Sequence, residues 1–262
     1  MEFKTIRYDA AGGIGRITLD RPDAMNAIDD VLARELMLAA IEADADPAVR
    51  AILITGNGRM FCAGGDLKLF AGSGDRLAAR VDQVTADLHA ALSRLMRSNA
   101  PVIVAVNGGA AGAGMSLAIA GDVVFAAESA TFTMAYTAAG LTPDGSCTYV
   151  MPRLIGTRRT LELMLTNQTL SAAEAREWGL VNHVVPGAEL IERAEAQAAT
   201  LAAGPTRAYG AIKALLLDSF SSGPETQMER ESRHVRAAAL SRDGREGVAA
   251  FAAKRKPAFT GE

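Results

Sequence analysis

VIVAVNGGAAGAGMSLAIAGDVV, residues Val102 to Val124, is the stretch whose reading decides the fold. Its β-branched run Val102–Val106 follows Pro101 and suits a strand buried on both faces. Gly108, Gly109, Gly112 and Gly114 then make a turn that admits backbone angles and close approaches a Cβ would block. Ala113 to Ala120 reads as a helix of small residues. A buried strand that passes through glycines into a helix start presents free amide N–H groups, an anion or oxyanion receptor in outline. The same glycines also suit a tight packing contact.

Working outward, Phe3–Tyr8 and Ile14–Leu19 alternate around Gly12-Gly13 as a hairpin. Asn26 is placed to cap a helix from about Asp29 to Ala45 that turns Val31, Leu36, Leu38 and Ile41 inward. Ala51–Thr55 is a short apolar strand, and Met60 to Leu67 forms a second glycine turn leading toward a helix. Leu77, Val81, Val84, Leu88, Leu92, Leu95 and Met96 recur at helical spacing between Asp75 and Arg97. Val123–Ala126 and Thr131–Thr133 read as strands and Gly140–Gly145 as a loop. Helical patterns follow at Ser146–Leu154 and Arg158–Leu165. Ser171 with Glu174 fits a capping box for a helix ending at Gly179, and Leu180–Val185 reads as a strand. Helices are predicted over Glu189–Ala202, Thr206–Asp218, Pro224–Leu240 and Asp243–Lys254, the last capped by Asp243 with Glu246. The expected division is an α/β core over 1–188 and a helical region over 189–262.

With 262 residues, 49% hydrophobic and 22% charged, the chain has the composition of a globular protein with a substantial core. A net charge of -3 without a basic block gives no reason to expect nucleic acid. Two cysteines without CxxC spacing and three histidines argue against a disulfide scaffold or a metal site. The charged N-terminus MEFKTIRYD and the absence of a long uninterrupted apolar stretch lead us to expect a cytoplasmic protein with no membrane partner.

Two glycine turns opening helices, Ala63-Gly64-Gly65 and Ala111-Gly112-Ala113-Gly114, can each give one backbone N–H to a single carbonyl oxygen. Paired donors of this kind stabilise an enolate without any side chain. With Pro22-x-x-x-Asn26-Ala27, Phe61-Cys62-Ala63-Gly64-Gly65-Asp66-Leu67, Asn107-Gly108 and Trp178-Gly179-Leu180-Val181 in this order, the chain resembles the enoyl-CoA hydratase/isomerase (crotonase) superfamily. That resemblance implies a spiral of ββα units with a C-terminal helical region, assembled as a homotrimer or a dimer of trimers. It implies an acyl-CoA thioester substrate and no cofactor beyond the coenzyme A of the substrate itself. By the same resemblance the amides of Gly65 and Ala113 form an oxyanion hole, and Met25, Ala63, Asp66, Leu67 and Lys68 line the CoA channel. Phe251 and Lys254 match positions that reach a neighbouring subunit's CoA, although Lys254-Arg255-Lys256 also reads as a solvated basic end.

Hydratases of this family place two glutamates where this chain carries Ser116 and Tyr136. A serine hydroxyl does not ionise near neutrality and an unperturbed tyrosine titrates at about 10, so neither serves as a carboxylate base. Asp144, in Gly140-Leu141-Thr142-Pro143-Asp144-Gly145, instead resembles the isomerase branch, where one carboxylate moves a proton while the oxyanion hole carries the dienolate. Asp144 also suits a plain helix cap. His89 and Asp144 have spacings similar to the 4-chlorobenzoyl-CoA dehalogenase branch, with Asp144 as nucleophile and His89 activating water. That branch carries a tryptophan at Tyr136 and an asparagine at Pro143. A lone histidine on an amphipathic helix also suits packing, as do Tyr136 and Ser116. The sequence therefore points to an acyl-CoA isomerase with Asp144 as acid/base. The dehalogenase-like hydrolase, an atypical enoyl-CoA hydratase and a non-catalytic CoA-thioester binding protein stand as its alternatives.

Overall fold

A computed structural model describes residues 3–262. The first two residues of the charged N-terminal stretch lie outside the described residues. The chain winds as a spiral in which successive coils lay one strand in a larger sheet and one in a smaller sheet. β1 (Ile6–Ala11) and β2 (Ile14–Leu19) form the opening hairpin, with Ile6 opposite Leu19. After α1 (Asp30–Ala45), β3 (Ala51–Gly56) joins the large sheet and β4 (Met60–Cys62) starts the small one. α2 (Leu67–Ala71) and α3 (Leu77–Arg97) lead to β5 (Val102–Val106) and β6 (Gly109–Ala111). α4 (Ala113–Ile119) leads to β7 (Val123–Ala127) and β8 (Thr131–Thr133).

α5 (Cys147–Thr166), β9 (Thr169–Ser171), α6 (Ala172–Trp178) and β10 (His183–Val185) close the two sheets. Their orders are β1-β2-β3-β5-β7-β10 and β4-β6-β8-β9. Apart from β1 with β2 and β8 with β9, all pairs are parallel. Parallel strands covered on both faces read as continuous apolar runs, and all five residues of β5 are buried. α7 (Leu190–Ala202) packs against β3, β5 and β7 through its buried Leu190, Ala194 and Ala198. α8 (Thr206–Ser219), α9 (Pro224–Leu240) and α10 (Arg242–Ala252) complete the C-terminal region. No helix among the described residues is long and apolar enough to cross a membrane.

Lys213 ties α8 to this core. Its ammonium lies 2.7 Å from Asp122 and donates to the carbonyls of Leu95 and Ala100, which satisfies a charge that burial would otherwise disfavour.

Several local expectations change. Asp29, not Asn26, caps α1 by accepting from the Leu32 amide. The buried Asn26 side chain instead donates to the carbonyls of Asn57, Met60 and Phe61, stitching the first turn to β4. α1 buries Leu32, Ala33, Leu36, Ala39 and Ala40, whereas Val31 and Ile41 are exposed and Leu38 is half-buried. The predicted helices around Ser146 and Arg158 join as α5 across a break at Gly156, where φ is 78° and ψ 156°. The strand expected from Leu180 starts only at His183. Ser241 caps α10 by accepting from Gly244, while the buried Asp243 accepts from the Thr260 and Gly261 amides and fastens the C-terminal tail.

Candidate active site

The first coil brings β4 into the turn Ala63-Gly64-Gly65, and the second brings β6 into Gly112 and Ala113. Both turns depend on glycine. Gly64 has φ +90°, and a Cβ there would stand 2.7 Å from the Ala111 carbonyl oxygen and 3.3 Å from the Ala113 nitrogen. Gly112 has φ 51° and ψ −128°, a region closed to L side chains. The turns therefore touch, and the Gly65 and Ala113 amides open onto one cavity. Among the described residues neither amide donates to an acceptor in the chain: beside Gly65 the Ile28 amide donates to the Gly64 carbonyl and the Asp66 amide donates to the Ile28 carbonyl, and Ala113 opens α4.

That cavity has a volume of about 350 Å³. Ile28, Leu67, Phe70, Val81, Val84, Leu88 and Leu141 give it an apolar wall, and Ala63, His89, Tyr136 and Asp144 complete it. Asp144 is the one carboxylate lining it among the described residues. It does not cap α5, whose preceding residue Ser146 makes no side-chain cap bond. Tyr136 donates its hydroxyl hydrogen to Asp144 Oδ1 at 2.6 Å. The fully buried Ser116 donates to the Asp144 carbonyl at 3.0 Å and lies 3.1 Å from the Tyr136 hydroxyl.

Burial, and then the negative charge of Asp144, pushes the Tyr136 phenol well above its ordinary range, so Tyr136 acts as a donor and not a base. Burial likewise raises the Cys147 thiol to about 11 and the Cys62 thiol to about 12, leaving both as neutral thiols. His89, on α3, brings Nε2 to 3.1 Å from Asp144 Oδ2 and accepts the Gly145 N–H at the same nitrogen, also at 3.1 Å. Backbone strain gathers around this region. Ala135 and Ser146, which flank Tyr136 and Asp144, have φ of 54° and 64°, and Met25 and Asn26 are similar. Non-glycine residues are held in such conformations where surrounding structure over-determines them, often at functional sites.

The expected site residues thus divide. Ala63, Gly65, Leu67, His89, Ala113, Tyr136 and Asp144 meet at the cavity; Met25, Asp66, Lys68, Phe251 and Lys254 lie outside its lining. Asp66 caps α2 and pairs with Arg21. The Met25 carbonyl accepts from Ala63, tying the first turn to the second. Lys68 is exposed on α2, Phe251 is 88% exposed on α10, and Lys254 lies just beyond that helix. Sequence reasoning missed the role of Ile28, Phe70, Val81, Val84 and Leu88 as cavity wall. The stripe on α3 carried that signal, but helical spacing alone does not separate a wall from a core.

The described residues contain no cluster of metal-ligating side chains. A family model described as enoyl-CoA hydratase/isomerase matches residues 9–262. A probable enoyl-CoA hydratase of Rhodobacter capsulatus is 40% identical over 262 residues, covering 100% of both chains. The 1,2-epoxyphenylacetyl-CoA isomerase of Escherichia coli is 40% identical over 266 residues, again covering 100% of both. Among solved structures, an enoyl-CoA hydratase from Bacillus anthracis superposes with a TM-score of 0.92 at 32% identity, covering 99% of this chain and 100% of that one.

Proposed function

The chain belongs to the enoyl-CoA hydratase/isomerase family, and from that premise we propose that it is an acyl-CoA isomerase that moves a double bond, or rearranges a ring, through a thioester enolate. The observation that carries this reading is a single cavity carboxylate, Asp144, facing a chamber that also holds the two free amides of Gly65 and Ala113. The thioester carbonyl oxygen sits between those amides, which take up the charge that develops as Asp144 removes a proton from C2. Tyr136 occupies Oδ1, leaving Oδ2 as the working base. The same carboxyl returns the proton at C4, so one acid/base completes the shift.

In this reading Met25, Ala63, Asp66, Leu67 and Lys68 hold the CoA moiety, and Phe251 and Lys254 serve a neighbouring subunit's CoA in a homotrimer or dimer of trimers. No cofactor beyond the substrate's coenzyme A is proposed. Ser116 and Tyr136, bonded to Asp144, supply no second carboxylate for water activation, which disfavours hydration.

Turnover of 3-hexenoyl-CoA, crotonyl-CoA and 4-chlorobenzoyl-CoA by wild type and Asp144→Asn tests the proposal. Isomerisation of the first should fall by roughly 10²- to 10⁴-fold in the variant, the usual worth of a general acid/base. Crotonyl-CoA hydration that survives in Asp144→Asn would sink it. The contact between His89 and Asp144 is the observation that favours the hydrolytic alternative, and chloride release from the aryl thioester would establish it.

A further inference from the structure

His89 lies between two cavities. One edge of its surroundings is the chamber with Asp144; it also lines a neighbouring cleft of about 550 Å³ with Ser93, Arg97, Ser146 and Arg153. Its side chain is 48% exposed. Nε2 meets both the Gly145 N–H and Asp144 Oδ2 at 3.1 Å, yet one ring nitrogen has a single site for hydrogen bonding in the ring plane. With Asp144 ionised, the neutral imidazole protonated on Nδ1 accepts from Gly145. Once Oδ2 carries a proton, that O–H stands 3.1 Å from the same nitrogen and competes with the Gly145 N–H for its lone pair.

We propose that His89 is a proton relay that connects Asp144 with solvent in the second cleft, so that the migrating proton of the isomerisation exchanges with water. The inference rests on the isomerase reading above. Its steps balance. The C2–H bond breaks, its electrons pass into the enolate and an O–H bond forms at Asp144 Oδ2. That O–H breaks as Nε2–H forms on the lone pair that the Gly145 N–H gives up, and the imidazolium then loses its Nδ1 proton to a cleft water. The reverse sequence delivers a solvent proton to C4. Asp144 alone would return the original proton. The other charged groups lining that cleft are Arg97, Arg153 and Asp218: Arg97 reaches Ser93, Asp218 is paired with Arg230, and the Arg153 guanidinium is stacked on Tyr149 and near Phe220.

The test is isomerisation of 3-hexenoyl-CoA in D2O, with deuterium counted per product molecule by mass spectrometry, for wild type, His89→Gln and His89→Ala. Wild type should incorporate close to one solvent deuterium per turnover. His89→Gln should incorporate roughly tenfold less per turnover, whatever its overall rate. Added imidazole should restore incorporation in His89→Ala, which a packing role for the ring would not produce. Equal deuterium content in wild type and His89→Gln, with both turning over, overturns the relay and leaves the isomerase reading intact. Exchange at C2 of hexanoyl-CoA in D2O, which needs enolisation and the relay but no double-bond shift, is measured in parallel. Absence of both isomerisation and C2 exchange overturns the isomerase reading, and the relay with it.

Discussion

The Tyr136 hydroxyl carries one hydrogen, and Asp144 Oδ1 receives it. A hydrogen bond to a charged group is worth about 1.5–3 kcal/mol. Tyr136→Phe should therefore lower kcat for isomerisation by roughly 10- to 100-fold with a much smaller change in KM, because the bond fixes the base and touches no binding group. Steady-state kinetics check this; an unchanged kcat would remove Tyr136 from the mechanism. At this scale the sequence singled out the turns that bear Gly65 and Ala113, and Asp144, and the structure gathers all three at one cavity. Its alternative reading of Asp144 as a cap fails for a conformational reason. Ser146 takes a left-handed φ of 64°, so the loop swings the carboxylate toward Tyr136 and His89 and away from the amides of α5. The contact with His89 spans 55 positions and crosses from α3 to the loop, and no local periodicity encodes it.

Among the elements, α1 shows how a helix face is misjudged. Large apolar side chains suggested Val31, Leu38 and Ile41, but α1 lies along α3 and buries alanines, because small residues let helices approach closely. The same helix clamps the N-terminal segment through Glu35, which accepts from the Lys4 and Thr5 amides and the Thr5 hydroxyl at 2.6–2.8 Å. Burial raises this carboxyl, and the hydrogen bonds from Thr5 and Lys4 outweigh it, so the group ends below its ordinary range. A depressed carboxyl contributes stability above its unfolded value near 4.3 and loses it as pH falls through the folded value. Glu35→Gln should thus cost about 1–3 kcal/mol in urea unfolding at pH 7, with the gap to wild type closing below about pH 4. A gap that persists unchanged at acid pH would contradict this account. The Ser171–Glu174 capping box is local and was legible, whereas the true caps Asp29 and Ser241 were missed by a few positions; the role of Asn26 was not legible, since its three acceptors come from the far side of β3.

At the scale of the whole molecule, α8, α9 and α10 turn a set of large apolar side chains to the outside. Leu216, Phe220, Val235, Leu240, Val248 and Phe251 are each at least 62% exposed. Exposed apolar side chains on one region suit contact with another chain, as the proposed homotrimer or dimer of trimers requires. The expected outcome of sedimentation equilibrium is a species of three or six copies, and Phe251→Asp should shift it toward smaller ones. A monomer at micromolar concentration would refute the proposed assembly. The order of strands in the two sheets was only partly legible, because nothing in a short β-branched run says which sheet receives it. The amides proposed to receive the oxyanion come from main chain in two adjoining coils, held together where Gly64 meets Gly112. Heredity acts on this arrangement unevenly. In the proposed reading, codon changes at Val81, Val84, Leu88 or Leu141 should reshape the chamber and its choice of acyl group, yet leave the backbone amides of Gly65 and Ala113 in place. A lineage carrying this chain is free to drift among thioester substrates, while at Gly64 and Gly112 it has almost nowhere to go.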